Sequence, residues 1–205
     1  MGFYSETVFP WLLDRVLGGE IEELRARTAA CASGNVLEIG FGTGTSLPHY
    51  GPATKSLTAL EPSPGMNRRA GRRIASARFP VKLVPASGEE LPFQDATFDS
   101  VVMMITLCSV DDPRRVLGEV RRVLRSGGRY FFFEHVASER PGPRSWQERL
   151  NGVSRIIGVG CNLNRNTEET IRETGFRLEA LDRLVSRAMP IPPLYPLIVG
   201  VGVRP

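Results

Sequence analysis

An α/β fold is predicted by three features of this 205-residue chain. Short apolar segments of strand length alternate with stretches of helical spacing. The first apolar segment, "VLEI", runs into "GFGTG", with glycines at every second position, and the second ends on a carboxylate, Glu61, 21 residues after Gly40. Strand, glycine turn and helix in alternation build a mostly parallel sheet with helices on both faces.

The elements follow in order. Val8, Phe9, Trp11, Leu12, Leu13, Val16 and Leu17 form an apolar stripe at helical spacing, with Pro10 tolerable near a first turn and Gly18-Gly19 as a stop. Five segments then read as strands: "NVLEI", "SLTAL", "VKLV", "FDSVVMMI" and "GRYFFFEHV". Between the last two lies the clearest helix, "DPRRVLGEVRRVLRSGG". Val116, Leu117, Val120, Val123 and Leu124 make its apolar face, Pro113 sits near its start, and Gly127-Gly128 is the predicted end. After Arg140, "PGPRSWQERL" interrupts the pattern with a loop and an extra helix. The alternation resumes with a helix around Glu168 to Glu173, a strand near Arg177 to Leu181 and the apolar run "LIVGVGV". The whole reads as one domain, with residues 1–30 a helical lid or cap and about 138–165 an insertion on one side.

Composition narrows the function classes. At 41% hydrophobic and 23% charged, the chain has the balance of a soluble domain with a sizeable core. No run approaches the roughly 18 apolar residues of a membrane span, and no secretory signal pattern opens the sequence, so a cytoplasmic protein is expected. Three cysteines, Cys31, Cys108 and Cys161, lie far apart without a CxxC pair and beside only two histidines; neither a disulfide framework nor a metal site is expected. The net charge of +4 permits attraction to anionic surfaces but does not by itself call for nucleic acid. In "NRRAGRR", Arg68, Arg69, Arg72 and Arg73 stand opposite Met66, Ala70 and Ile74, which is most simply a solvated helix face.

The glycine turn carries the chemistry. In a strand–turn–helix unit the first glycine makes the tight turn, the second lets a ligand approach the backbone, and the helix start offers amide donors to an anionic group. Gly40, Gly42 and Gly44 fit that plan, and Glu61 at the end of the second strand can accept bonds from both hydroxyls of a ribose. A nucleoside ligand is implied. The spacing is GxGxG, since Thr45 stands where a dinucleotide fingerprint has its third glycine.

At this point the sequence resembles the class I S-adenosylmethionine-dependent methyltransferases. "LEIGFGTG", "LEPSPGM", "ASGEELPF", "FDSVVMMITLCSV" and "RVLRSGGRYFFFEH" occur in that family's order between Val36 and His135. The resemblance implies a Rossmann-like seven-stranded, mostly parallel sheet with a final antiparallel strand. It also implies S-adenosylmethionine as cofactor, with S-adenosylhomocysteine as its product. Glu38 and the Gly40–Gly44 backbone would face the methionine end, Glu61 the ribose, and Pro62 and Met66 the adenine plane. Ser87, Gly88 and Glu89 would edge the adenine, and Thr106 and Leu107, after the fourth strand, would also bind the cofactor. Ser87 stands where many relatives carry Asp.

The second half is similar to a narrower group, small bacterial methyltransferases related to the microsomal thiol S-methyltransferases of animals. "TLCSV", "FFFEHV", Trp146 and "GCNLNR" carry that similarity. A small lipophilic thiol is the implied acceptor, bordered by Cys108, Trp146, Cys161, Asn162 and Arg165. Phosphatidylethanolamine and quinone or phenol acceptors share the framework. His135, at the carboxyl end of the fifth strand, is the available base; its other reading is a residue that orients a loop. Glu134 either orients His135 or points away from it. Cys108 reads as packing or pocket wall, and Asn162 and Arg165 as pocket wall or as caps for the helix starting near Asn166. The amphipathic start has three readings: core packing, a lid, or contact with a membrane surface. From a different class, a nucleotide-binding regulator or an NAD-linked oxidoreductase uses a related sheet.

Overall fold

The structure, a computed structural model, describes residues 2–16, 19–186 and 195–205. A wide π-helical stretch, Tyr4–Val8, continues into α1, Phe9–Val16. Of the predicted stripe, the side chains of Leu13 and Val16 and all of Leu17 and Gly18 lie outside the described part. Then follow α2 (Glu20–Ala30), β1 (Gly34–Ile39), β2 (Thr54–Leu60), α3 (Pro64–Ala75) and β3 (Val81–Val84). After these come β4 (Phe98–Met104), α4 (Pro113–Val123), β5 (Leu124–His135) and α5 (Pro141–Ile157). The last elements are α6 (Thr167–Glu173), β6 (Arg177–Val185) and β7 (Pro196–Val203).

Seven strands form one sheet in the order β3-β2-β1-β4-β5-β7-β6. β1 to β5 pair in parallel, and β7 runs antiparallel to both of its neighbours, β5 and β6. The chain reverses direction across the sheet at β1 and β4, and an open α/β sheet places its ligand crevice beyond the carboxyl ends of strands at such a switch.

Alternation along the strands sorts the core into two layers. Leu37 and Ile39 of β1, Val101 and Met103 of β4 and Tyr130 and Phe132 of β5 pack with Val116, Leu117 and Val120 of α4. Val36, Val102 and Phe131, one residue out of phase, face Ala29 of α2 and Ala70 of α3. The same alternation puts Glu134 on the α4 side of β5 and His135 on the other side.

Two local expectations are corrected. The glycine turn does not lead into an α-helix; the helical turn between β1 and β2 is the 3-10 turn Leu47–His49. Pro48 and the Gly51-Pro52 pair break any longer helix in so short a connection. The α4 helix stops at Val123, not at the Gly127-Gly128 pair, because Leu124 is already extended (φ −69°, ψ 144°) and pairs with Phe98. The start of α4 is as read: Pro113 opens it, and the Asp112 carboxylate accepts the N–H groups of Arg114 and Arg115, each at 3.0 Å.

Candidate active site

Gly40 leaves β1 at φ +76°, and a Cβ on it would lie 2.2 Å from the Thr106 hydroxyl, so only glycine lets this turn pass the β4 loop. At Gly42 (φ +59°) a Cβ would meet nothing closer than the Gly40 carbonyl at 4.0 Å; the backbone there faces open space. The Glu61 carboxylate, 8% exposed, accepts the N–H of Gly42 through Oε2 and that of Ser63 through Oε1, both at 2.9 Å. Burial raises its pKa above the usual carboxylate value, against those two bonds. Gly40 and Phe41 donate to the Leu60 carbonyl, which locks the turn to the end of β2.

Glu38 lies beneath this loop at 2% exposure. Its Oε2 accepts the hydroxyls of Ser46 and Tyr50, each at 2.8 Å, and burial pushes its pKa up to about 7. Ser46 and Tyr50, which the sequence did not single out, belong to the segment that replaces the expected helix. Along the crevice, Pro62 is exposed and Met66 buried at the start of α3. Ser87 is exposed, its hydroxyl bonded to the Glu89 carboxylate, which also accepts the N–H of Asp111 at 3.0 Å. Gly88 is buried, with Ile39 Cγ2 3.1 Å from where a Cβ would stand.

The β4 loop is held by Glu134, a group the sequence left ambiguous. Fully buried, its carboxylate accepts three consecutive N–H groups: Thr106 at 3.0 Å, Leu107 at 2.9 Å and Cys108 at 3.4 Å. Ile105, just before them, takes φ +53°, a conformation unfavourable for a β-branched residue and stabilised by this anchorage. Burial pushes the Glu134 pKa up to about 7 despite the three bonds. Glu134 therefore points away from His135, into the loop.

His135 is 2% exposed, and its ring centroid lies 5.1 Å from that of Tyr195. Its Nδ1 is 4.0 Å from Cys161 Sγ, which in turn lies 3.8 Å from Cys108 Sγ. His135, Cys108 and Cys161 are thus brought together. Asn162 and Arg165 staple their segment to the β4 loop rather than capping α6. The Asn162 amide donates to the Cys108 carbonyl at 3.1 Å, and Arg165 donates to the Leu107 and Val110 carbonyls, each at 2.5 Å. No side chain caps α6 through its residue Asn166. Trp146 does not join this group: it is 54% exposed on the outer face of α5, with Arg149 over its ring. Its neighbour Gln147, fully buried, is the residue that ties α5 to the end of β5. It accepts the Ser138 N–H at 2.7 Å and donates to the Val136 carbonyl at 3.0 Å.

The N-terminal helix reaches both sides of the crevice. Glu6 accepts the Gly65 N–H at 2.5 Å at the start of α3, and a Cβ on Gly65 would fall 2.0 Å from the Glu6 carbonyl oxygen. Tyr4 donates to the Ile157 carbonyl of α5 at 2.7 Å.

A glycine turn clamped to a buried carboxylate, at the switch point of this sheet order, defines an α/β enzyme built to hold a nucleoside. Residues 37–132 match the family model described as a methyltransferase domain. The chain is 35% identical over 191 residues to the human thiol S-methyltransferase TMT1B, covering 89% of this chain and 75% of that protein. It is 38% identical over 143 residues to the phosphatidylethanolamine N-methyltransferase of Cereibacter sphaeroides, covering 67% of this chain and 70% of that one. Among solved structures, a geranyl diphosphate C-methyltransferase from Streptomyces coelicolor A3(2) superposes with a TM-score of 0.72 at 15% identity. That match covers 90% of this chain and 80% of the other. The chain belongs to the class I S-adenosylmethionine-dependent methyltransferases and is an enzyme of that class. The open space over Gly42 beside the Glu61 carboxylate fits the cofactor. Among the described residues no helix is long and apolar enough to cross a membrane.

Proposed function

We propose that this enzyme methylates a small lipophilic thiol. The observation that carries the reading is the 35% identity to a thiol S-methyltransferase over 89% of the chain, spanning the segment that surrounds His135. Bound S-adenosylmethionine supplies an electrophilic methyl group on a sulfonium. This chain's residues position, exclude water and manage one proton. The Gly40–Gly44 backbone and Glu61 bind the cofactor, Glu61 through its ribose; Met66 and the Ser87–Glu89 loop border the adenine. Glu38 fixes the loop from below through Ser46 and Tyr50.

His135 accepts the proton of the acceptor thiol. It is the histidine suited to this, since His49 is bonded to Glu22 on the α2 side at 2.6 Å. A thiol ionises near pH 8.5, so a base beside it needs to shift that equilibrium only modestly. Residues 1–16 act as a lid, because Glu6 and Tyr4 bridge α3 and α5. Residues 138–165 form the acceptor side.

A second reading, a phospholipid amine, rests on the relative from Cereibacter sphaeroides and on the exposed Trp146, Ile156 and Ile157 of α5, which suit contact with a lipid surface. A panel of alkyl thiols, dispersed phosphatidylethanolamine and phenols decides. Turnover of alkyl thiols with no product from the others is expected; turnover of the lipid or a phenol without the thiols overturns the thiol reading.

A further inference from the structure

The two sulfurs beside His135 are placed by the backbone, not by chance packing. Gly160, at φ +100°, would put a Cβ 2.7 Å from the Ser109 carbonyl oxygen, so glycine is what lets the loop after α5 lie against the β4 loop. The Cys108 carbonyl then accepts both the Asn162 backbone N–H, at 2.9 Å, and its side-chain amide. These two hydrogen bonds to one carbonyl fix the loops in register and set Cys161 Sγ 3.8 Å from Cys108 Sγ. A disulfide needs about 2.05 Å, so closing it takes a movement of roughly 2 Å. Cys108 is fully buried, Cys161 partly exposed, and Cys31 is exposed.

We propose that Cys108 and Cys161 form a reversible dithiol–disulfide pair, oxidised by hydroperoxides, whose closure draws Cys161 off His135 and lowers methyl transfer. The roles are unequal. The contact with Cys108, and after it the His135 ring, hold the Cys161 thiol well below its usual pKa, whereas the same sulfur contact and burial push Cys108 up. The more exposed sulfur is thus the thiolate and the nucleophile.

The Cys161 thiolate attacks the hydroperoxide: an S–O bond forms, the O–O bond breaks, and the departing oxygen leaves as alcohol or water after taking up a proton. The Cys108 thiol then attacks the Cys161 sulfenic sulfur. An S–S bond forms, the S–O bond breaks, and hydroxide leaves as water with the Cys108 proton. In sum, two thiols are oxidised and one hydroperoxide is reduced. Because Glu134 holds the Cys108 amide and the Asn162 bonds hold the loops in register, the movement falls on the side chains, that of the more exposed Cys161 turning toward Cys108.

The test is to expose the full chain to a stoichiometric amount of hydrogen peroxide and map its cysteines by alkylation and mass spectrometry. A Cys108–Cys161 cross-linked peptide lacking two hydrogens is expected, with Cys31 still alkylated and the link reversed by dithiothreitol. In Cys161→Ser, Cys108 should stay reduced under the same dose. Cys161 advancing to sulfinic acid beside a free Cys108, or Cys108 oxidising in Cys161→Ser, overturns the pair. The turnover arm rests on the thiol-acceptor reading and the mapping arm does not. The cross-linked protein should lose most turnover yet bind S-adenosylhomocysteine as before; a cross-linked protein with undiminished turnover overturns the effect on transfer.

Discussion

Glu134 accepts the backbone N–H of Leu107 at 2.9 Å in a fully buried corner between β5 and the loop after β4. One oxygen serves both Leu107 and Thr106, so a single carboxylate sets the conformation of the segment that flanks the glycine turn through Gly40 and Thr106.

That arrangement has a pH signature. The folded-state pKa of Glu134, about 7, lies above the ordinary 4.5, so the folded state holds its proton more tightly than the unfolded one. The corresponding stability is fully present below about pH 4.5 and is lost as pH rises through about 7; Glu38 acts in the same direction. Urea unfolding from pH about 5 to about 8 should show wild-type stability falling by a few kcal/mol. In Glu134→Gln the slope should shrink, while stability drops at low pH because the new amide group faces backbone donors. An unchanged slope in the variant would assign the effect elsewhere.

The glycines separate stability from binding. Gly40→Ala collides with Thr106 and should lower the melting temperature by several degrees. Gly42→Ala meets no atom within contact and costs about 1 kcal/mol for its positive φ, yet it intrudes on the ligand side and should weaken S-adenosylhomocysteine binding more than it lowers melting. The reverse pattern would mean that the ligand lies elsewhere.

Glu61→Ala should lose both the ribose bonds and the clamp on Gly42. Charge-assisted bonds are worth roughly 1.5–3 kcal/mol each, which corresponds to at least a tenfold weaker affinity by calorimetry. Wild-type affinity in this variant would remove Glu61 from the binding site.

For the N-terminal helix, deletion of residues 1–17 should leave a folded protein that binds cofactor but has lost most turnover. Glu6→Ala, which removes the acceptor for the Gly65 N–H, should show a smaller defect of the same kind. Loss of the circular dichroism signal on deletion would make the helix part of the core, and full turnover would leave it without a role in the reaction.

His135→Ala should slow methylation of an alkyl thiol at neutral pH and cost less near pH 9, where the thiol ionises unaided. An equal defect at both pH values would remove His135 as the base while leaving its position in the site.

Most of the sheet was legible because its strands are short apolar blocks with sharp borders: "VKLV" is the strand Val81–Val84 without change. The helix expected after the glycine turn is absent because the strand–turn–helix plan of the motif takes no account of Pro48 and Pro52, which local chemistry marks as breakers. Glu134 was ambiguous for a different reason. Alternation fixed the face it lies on, but its three N–H partners come from residues 26 to 28 positions earlier and are visible only in three dimensions. Trp146 drew attention through the resemblance to the thiol-methylating group, while the buried residue was the polar Gln147 next to it. A polar residue that is buried to serve backbone groups leaves no periodic trace in one sequence.

The position of β7 between β5 and β6 has a consequence for biosynthesis. A ribosome makes β6 before β7, at about 5–20 residues per second, so β6 reaches the tunnel exit while β7, its neighbour among the described strands, is still behind it. In the nascent chain both of its edges are open, the situation in which strands associate with the wrong neighbour. Arg177, Glu179, Asp182 and Arg183 punctuate the Leu-rich sequence of β6 with charge of both signs. In the finished sheet Arg183 pairs with Glu139 at 3.3 Å, and charges placed along an apolar strand are the kind of feature that opposes its association with a wrong neighbour while it is unpaired.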